Sequence, residues 1–171
     1  MTSVLYASEY YPPFAPGGAE WSTAAWAAAL VRRGHRVTVV TPNYGAAARE
    51  ERDGATIIRV PFPVTLRPGQ GEARFLAHRN PLFHLYFAWH VRRAARAAGA
   101  EIIHAQGKAA VVACWLAGRG LRRPVLATIR DLRFHDDAPP RESRGPLRVP
   151  IGLYYRLSGI SPFIEVVARK P

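Results

Sequence analysis

The chain has 171 residues, 49% of them apolar, enough for one domain with a real core and too apolar for a disordered segment. Its formal charge is +12, nearly all of it arginine, because lysine occurs only at Lys108 and Lys170. No apolar run approaches the roughly 18 residues that span a bilayer, no secretory signal opens the chain, and the single cysteine excludes an internal disulfide.

Strand-like runs recur at Val4–Ala7, Val37–Thr41, Thr56–Val60, Ile102–Ala105 and Val125–Ile129, with helical patterns between most of them. That alternation predicts an α/β fold, a Rossmann-like parallel sheet with helices on both faces. After the first strand a turn ends in Pro16-Gly17-Gly18-Ala19-Glu20, and an alanine-rich helix follows. Its Thr23, Trp26, Ala27 and Leu30 repeat at i, i+3, i+4 and i+7 and predict one buried stripe. Arg32 and Arg33 suit the negative end of this helix, and Gly34 suits the residue after it. The connector 61–81 is rich in proline and glycine and reads as irregular surface chain. A long helix is expected from about Leu82 to Ala98, closed by Gly99, and another from about Ala109 to Leu116, breaking near Gly118 and Gly120. Cys114 falls among apolar residues of that last helix, as a buried small hydrophobe does. Past Asp131 the pattern decays into a proline- and arginine-rich stretch. One domain over residues 1–171 is expected.

Strand, glycine pair and helix in that order put backbone N–H groups at the positive end of a helix, where an anion is favoured. The plainer reading of Gly17-Gly18 is a turn with positive φ, with Glu20 only compensating the dipole. A dinucleotide fold fails the test: ten residues separate strand from helix, and Thr41-Pro42-Asn43 lacks a ribose-binding acid. No G-x-x-x-x-G-K-[ST] segment is present, which excludes a P-loop.

Several blocks together resemble the N-terminal, acceptor-binding domain of glycosyltransferase family 4, enzymes of the GT-B fold. They are Tyr11-Pro12-Pro13, Gly17-Gly18-Ala19-Glu20, the run from Arg32 to Pro42, Glu101-Ile102-Ile103-His104-Ala105-Gln106, and Thr128-Ile129-Arg130-Asp131. The resemblance covers about three-quarters of the chain. It implies half of a two-domain enzyme that moves a sugar from a nucleotide-sugar co-substrate to a sugar or lipid-linked acceptor. Retention of configuration, hexosyltransferase chemistry, no cofactor and no essential metal are implied with it; Asp136-Asp137 lacks the D-x-D spacing that would bind a metal. By the same analogy Gly17 and Gly18 supply backbone donors to anionic or sugar oxygens, near Glu20. His104, Gln106, Arg130 and Asp131 stand at strand ends, the rim where open α/β sheets bind ligands. His104 reads equally well as a satisfied edge histidine, and Arg130-Asp131 as a local ion pair. No catalytic residue is assigned.

Relatives carry paired glutamates eight positions apart in a C-terminal donor-binding domain. No two of the glutamates at 9, 20, 50, 51, 72, 101, 142 and 165 have that spacing. The C-terminal donor-binding domain is therefore expected to be absent and the isolated chain to be inactive, with a truncated product and a split enzyme, whose partner domain or subunit carries the donor site, both left open. The alternative from another class is a non-catalytic module for anionic ligands or nucleic acid, although no zinc-finger or RNA-binding signature argues for nucleic acid. The default location is cytoplasmic. The helix from Leu82 to Ala98 mixes aromatic residues with Arg92, Arg93 and Arg96, which keeps peripheral contact with the inner membrane face open. Packing against the sheet is the plainer role for it.

Overall fold

A computed structural model describes residues 1–15, 17–67 and 81–128, apart from the side chains of 108 and 109. All of these fall in one compact unit, Met1–Arg130. The elements are β1 (Ser3–Ser8), α1 (Gly18–Arg32), β2 (Arg36–Pro42), β3 (Arg49–Arg52), β4 (Ala55–Val60), α2 (Pro81–Ala97), β5 (Ile102–Gln106), α3 (Lys108–Leu121) and β6 (Val125–Thr128). The sheet order is β3-β4-β2-β1-β5-β6. β1, β2, β4, β5 and β6 run parallel, and β3 alone is antiparallel, paired with β4. The Rossmann-like expectation therefore holds, with an antiparallel edge strand added.

β1 is central because all six of its residues are buried, as a strand covered on both faces requires. Alternate residues feed the two faces. Val4, Tyr6, Val37, Val39, Ala55 and Ile57 pack with Ala27 of α1, and Leu30 and Val31 complete the cluster. α2 and α3 pack against each other, α2 reaching β2 and β4, α3 reaching β1, β5 and β6. The inward side chains of α2 include Phe83, Phe87 and Val91. Ser3 anchors the start of β1 to the second half of the chain: its N–H donates to Glu101 Oε1 (3.0 Å) and its hydroxyl to the Ala98 carbonyl (3.0 Å).

Three local expectations are corrected. Trp26 is 43% exposed and leaves the buried stripe of α1, which runs through Thr23, Ala27 and Ala28. α3 does not break at Gly118 and Gly120 but continues to Leu121. A Cβ at Gly118 would stand 2.2 Å from Val125 Cγ2, and one at Gly120 2.9 Å from an Arg92 guanidinium nitrogen. Close packing of α3 on β6, not helix termination, is what requires Gly118, whereas Gly120 faces only the flexible end of the Arg92 side chain. The plain reading of Gly17 is corrected too, for its φ of −157° is ordinary extended backbone.

Candidate functional site

All five parallel strands point their C-terminal ends to one edge of the sheet, and α1, entering after β1, begins at that edge. Open parallel sheets bind ligands along such an edge. Here the segment from Glu9 to Ala15 is held by two devices. One is a small aromatic core of Tyr10, Phe14 and Tyr44, with Phe62, Val64 and Leu66 packed on it. Tyr10 and Tyr44 stack at 5.2 Å between centroids. The other is Arg59 of β4, whose side chain is wholly buried. Its Nη2 donates to the Pro12 carbonyl and to Glu50 Oε1, both at 2.9 Å.

α1 opens without a side-chain cap from Gly17; instead the Gly17 N–H donates to Glu20 Oε2 at 3.1 Å. Glu20 thus satisfies one of the helix's opening donors and compensates its dipole. Gly18 is the first helical residue, and nothing lies within 4 Å of where its Cβ would be. One and a half turns further on, Thr23 ties the helix to the sheet: its hydroxyl donates to the Ala19 carbonyl (2.9 Å) and lies 3.4 Å from Gln106 Oε1. Gln106 Nε2 lies 3.2 Å from His104 Nε2, which is 2.9 Å from Thr128 Oγ1. The His104 ring also stacks, tilted, on Tyr6 at 4.9 Å. His104 and Gln106 are therefore brought together in one chain of polar contacts running from β6 through β5 to α1. Gly17, Gly18 and Glu20 stand at the near end of that helix. Arg130 and Asp131 lie outside the described residues.

Glu9, at the end of β1, was not singled out from the sequence. Its carbonyl accepts from Tyr44 Oη (3.1 Å) and Thr41 Oγ1 (3.4 Å), which fixes the backbone. Burial, and the charge of Glu20 after it, push its carboxyl up from 4.5 to about 7. The only sequence signal was its place, the first residue past the first strand. Because the folded state binds this proton more tightly than the unfolded chain, stability falls as pH rises from about 4.5 to about 7 and stays lower above. Glu9→Gln is expected to raise stability by about 2 kcal/mol at about pH 8 and to change it little at about pH 4. Urea unfolding at both pH values checks this, and equal gains at both would assign the effect to something other than titration.

Cys114 is fully buried and burial pushes its thiol up, so it is inert packing. Among the described residues no group of three or more metal-ligating side chains converges. No helix of the described residues is long and apolar enough to cross a membrane.

A mostly parallel sheet with one antiparallel edge strand and helices on both faces is consistent with a Rossmann-like half of a GT-B fold. The structure is similar to sucrose-phosphate synthase from Thermosynechococcus elongatus, with 18% identity, a TM-score of 0.57, and 81% of this chain matched to 36% of that one. It is also similar to MurG from Acinetobacter baumannii, with 16% identity, a TM-score of 0.50, and 74% of this chain matched to 34% of that one. The chain thus spans about a third of the length of these two proteins, and the likeness is one of fold. No curated protein sequence matches significantly. Residues 17–157 match the glycosyl transferase 4-like domain, and the chain belongs to that family.

Proposed function

We propose that this domain holds the acceptor for glycosyl transfer from a nucleotide-sugar, and that a donor-binding domain completes the cleft, within a longer chain or as a separate subunit. The observation that carries the reading is the open space over Gly18, in the first turn of the helix whose start Glu20 caps. Gly17 is extended and Gly18 helical, conformations any residue adopts, and no neighbour crowds either position. Glycine in a helix interior costs about 0.5–1 kcal/mol relative to alanine, and less at a first helical position such as that of Gly18. Its use where the fold does not need it leaves room for a ligand.

The chemistry around that space selects the ligand. Glu20 lies within electrostatic reach of Glu9. A carboxylate at the helix start disfavours nucleotide phosphates yet accepts hydrogen bonds from hydroxyls. Sugar hydroxyls of an acceptor, free or lipid-linked, fit this end of the rim better than a diphosphate does. His104 and Gln106, held by Thr23 and Thr128, offer further polar atoms along the same edge. By family resemblance alone, Arg130 is assigned to phosphate charge and Asp131 to sugar hydroxyls. The reaction is of the retaining hexosyltransferase type, without an essential metal, and rests on positioning and on stabilising the departing phosphate rather than on a side-chain nucleophile.

Calorimetric titration of the chain with free sugars and with nucleotide-sugars, each with and without a donor-binding domain added, tests the assignment. Sugar binding by the chain alone, with nucleotide-sugar binding and transfer only on addition of that domain, is the expected result. Tight nucleotide-sugar binding by residues 1–171 alone would place the donor site here and overturn it.

A further inference from the structure

α2 is apolar on two sides. Phe83, Phe87, Val91, Ala94 and Ala95 are buried on its inner face. The outer face carries a second stripe at helical spacing: Leu82 is 73% exposed, Leu85 60%, Tyr86 36% and Trp89 56%. An outward helix face is normally polar, so an outer face of this kind marks an interaction surface.

The same face changes character along its length. Beyond Trp89 it continues with Arg93 and Arg96, both exposed, and α2 contains no acidic residue at all. The Arg93 guanidinium lies 5.6 Å from the centre of the Trp89 ring, so the cation is seated directly on the apolar stripe. Tyr86 and Trp89 both pack edge-on against the His90 ring, which steadies the stripe as one surface. From Leu82 to Arg96 the stripe is about 20 Å long. Apolar side chains with tryptophan and tyrosine at their border, followed by arginine and no counter-charge, match a lipid–water interface that carries negative headgroups. Nucleic acid offers nothing to the leucines, and a folded protein partner would need acids aligned over Arg93 and Arg96.

We infer that the outer face of α2, from Leu82 to Arg96, docks this domain peripherally on an anionic membrane surface. The leucines and Trp89 enter the headgroup region while Arg93 and Arg96 meet lipid phosphates. The inference does not rest on the acceptor reading, because it concerns a surface made by α2 alone and its readout is vesicle binding.

Co-flotation of the full chain with phosphatidylcholine vesicles, and with vesicles also containing phosphatidylglycerol, provides the test. Binding to the anionic vesicles is expected to be tighter by about tenfold or more and to weaken with salt. Leu85→Ser with Trp89→Ser leaves the charge of +12 unchanged and is expected to weaken anionic binding by about tenfold. Arg93→Gln with Arg96→Gln is expected to cost a similar factor and to flatten the salt dependence. Leu82→Ser with Leu85→Ser, which keeps Trp89 under Arg93, serves if the first pair disturbs folding by circular dichroism. Undiminished binding by the serine variants would show attraction by net charge alone and overturn the inference. Equal affinity for both vesicles would overturn it as well. So would a dimer in sedimentation that the serine variants dissolve, since the stripe would then be a contact between two copies.

Discussion

Arg59→Ala is expected to destabilise the domain by about 3–5 kcal/mol, the cost of breaking a buried ion pair from one side together with a cavity. The Arg59 side chain is 0% exposed, whereas its partner Glu50 keeps 29%. Most of the loss therefore comes from the arginine's own bonds. The Pro12 carbonyl and Glu50 lose their 2.9 Å donors, and the longer bond to the Ala47 carbonyl goes with them. Arg59→Met, which keeps most of the volume, is expected to recover part of the cavity cost and none of the hydrogen bonding. Urea unfolding of the two variants separates these contributions. A midpoint for Arg59→Met equal to that of the wild type would mean the guanidinium holds nothing together. Because the arginine grips Pro12 in the loop that leads to Gly17, sugar binding should weaken in both variants even at temperatures where they remain folded.

Gly18→Leu is expected to leave the fold standing and to weaken sugar binding by about a hundredfold or more, equivalent to about 2.7 kcal/mol. No atom lies within 4 Å of the position its Cβ would take, so the branch point of the new side chain is not crowded. Leucine is also the better helix former, so thermal stability should be unchanged or slightly raised. A variant that is both stable and unable to bind is the signature of a residue kept small for a ligand. Calorimetry with the best sugar from the panel reads the result, and unchanged affinity would remove the glycine pair from the site.

The parallel core was legible because its strands are buried on both faces and read as apolar runs, β1 and β2 above all. The caps were legible for a similar reason: Gly34 and Gly99 take positive φ just past the ends of α1 and α2. β3 was not, since Arg49-Glu50-Glu51-Arg52 shows no apolar alternation. A signal lay beside it all the same. Asp53 and Gly54 both adopt positive φ, and an Asp-Gly pair is a two-residue hairpin signature. Gly118 misled because a glycine required by a neighbour looks, in one dimension, like a glycine that ends a helix. Of the site, the glycine pair and the strand-end residues His104 and Gln106 could be placed from order alone. The bond from Thr23 to Gln106 spans 83 positions, and no local pattern announces it. The raised carboxyl of Glu9 depends on burial by residues far along the chain and was equally invisible.

The central place of β1 also bears on synthesis. One neighbour, β2, follows closely, but the other is β5, and the Ser3–Glu101 bond that begins that pairing joins residues 98 apart. At about 5–20 residues per second, the ribosome takes roughly 5–20 s to deliver that second neighbour. Throughout that interval an apolar strand with one open edge is exposed to other nascent chains. The demand for protection by chaperones should therefore peak before β5 emerges and fall once it has docked.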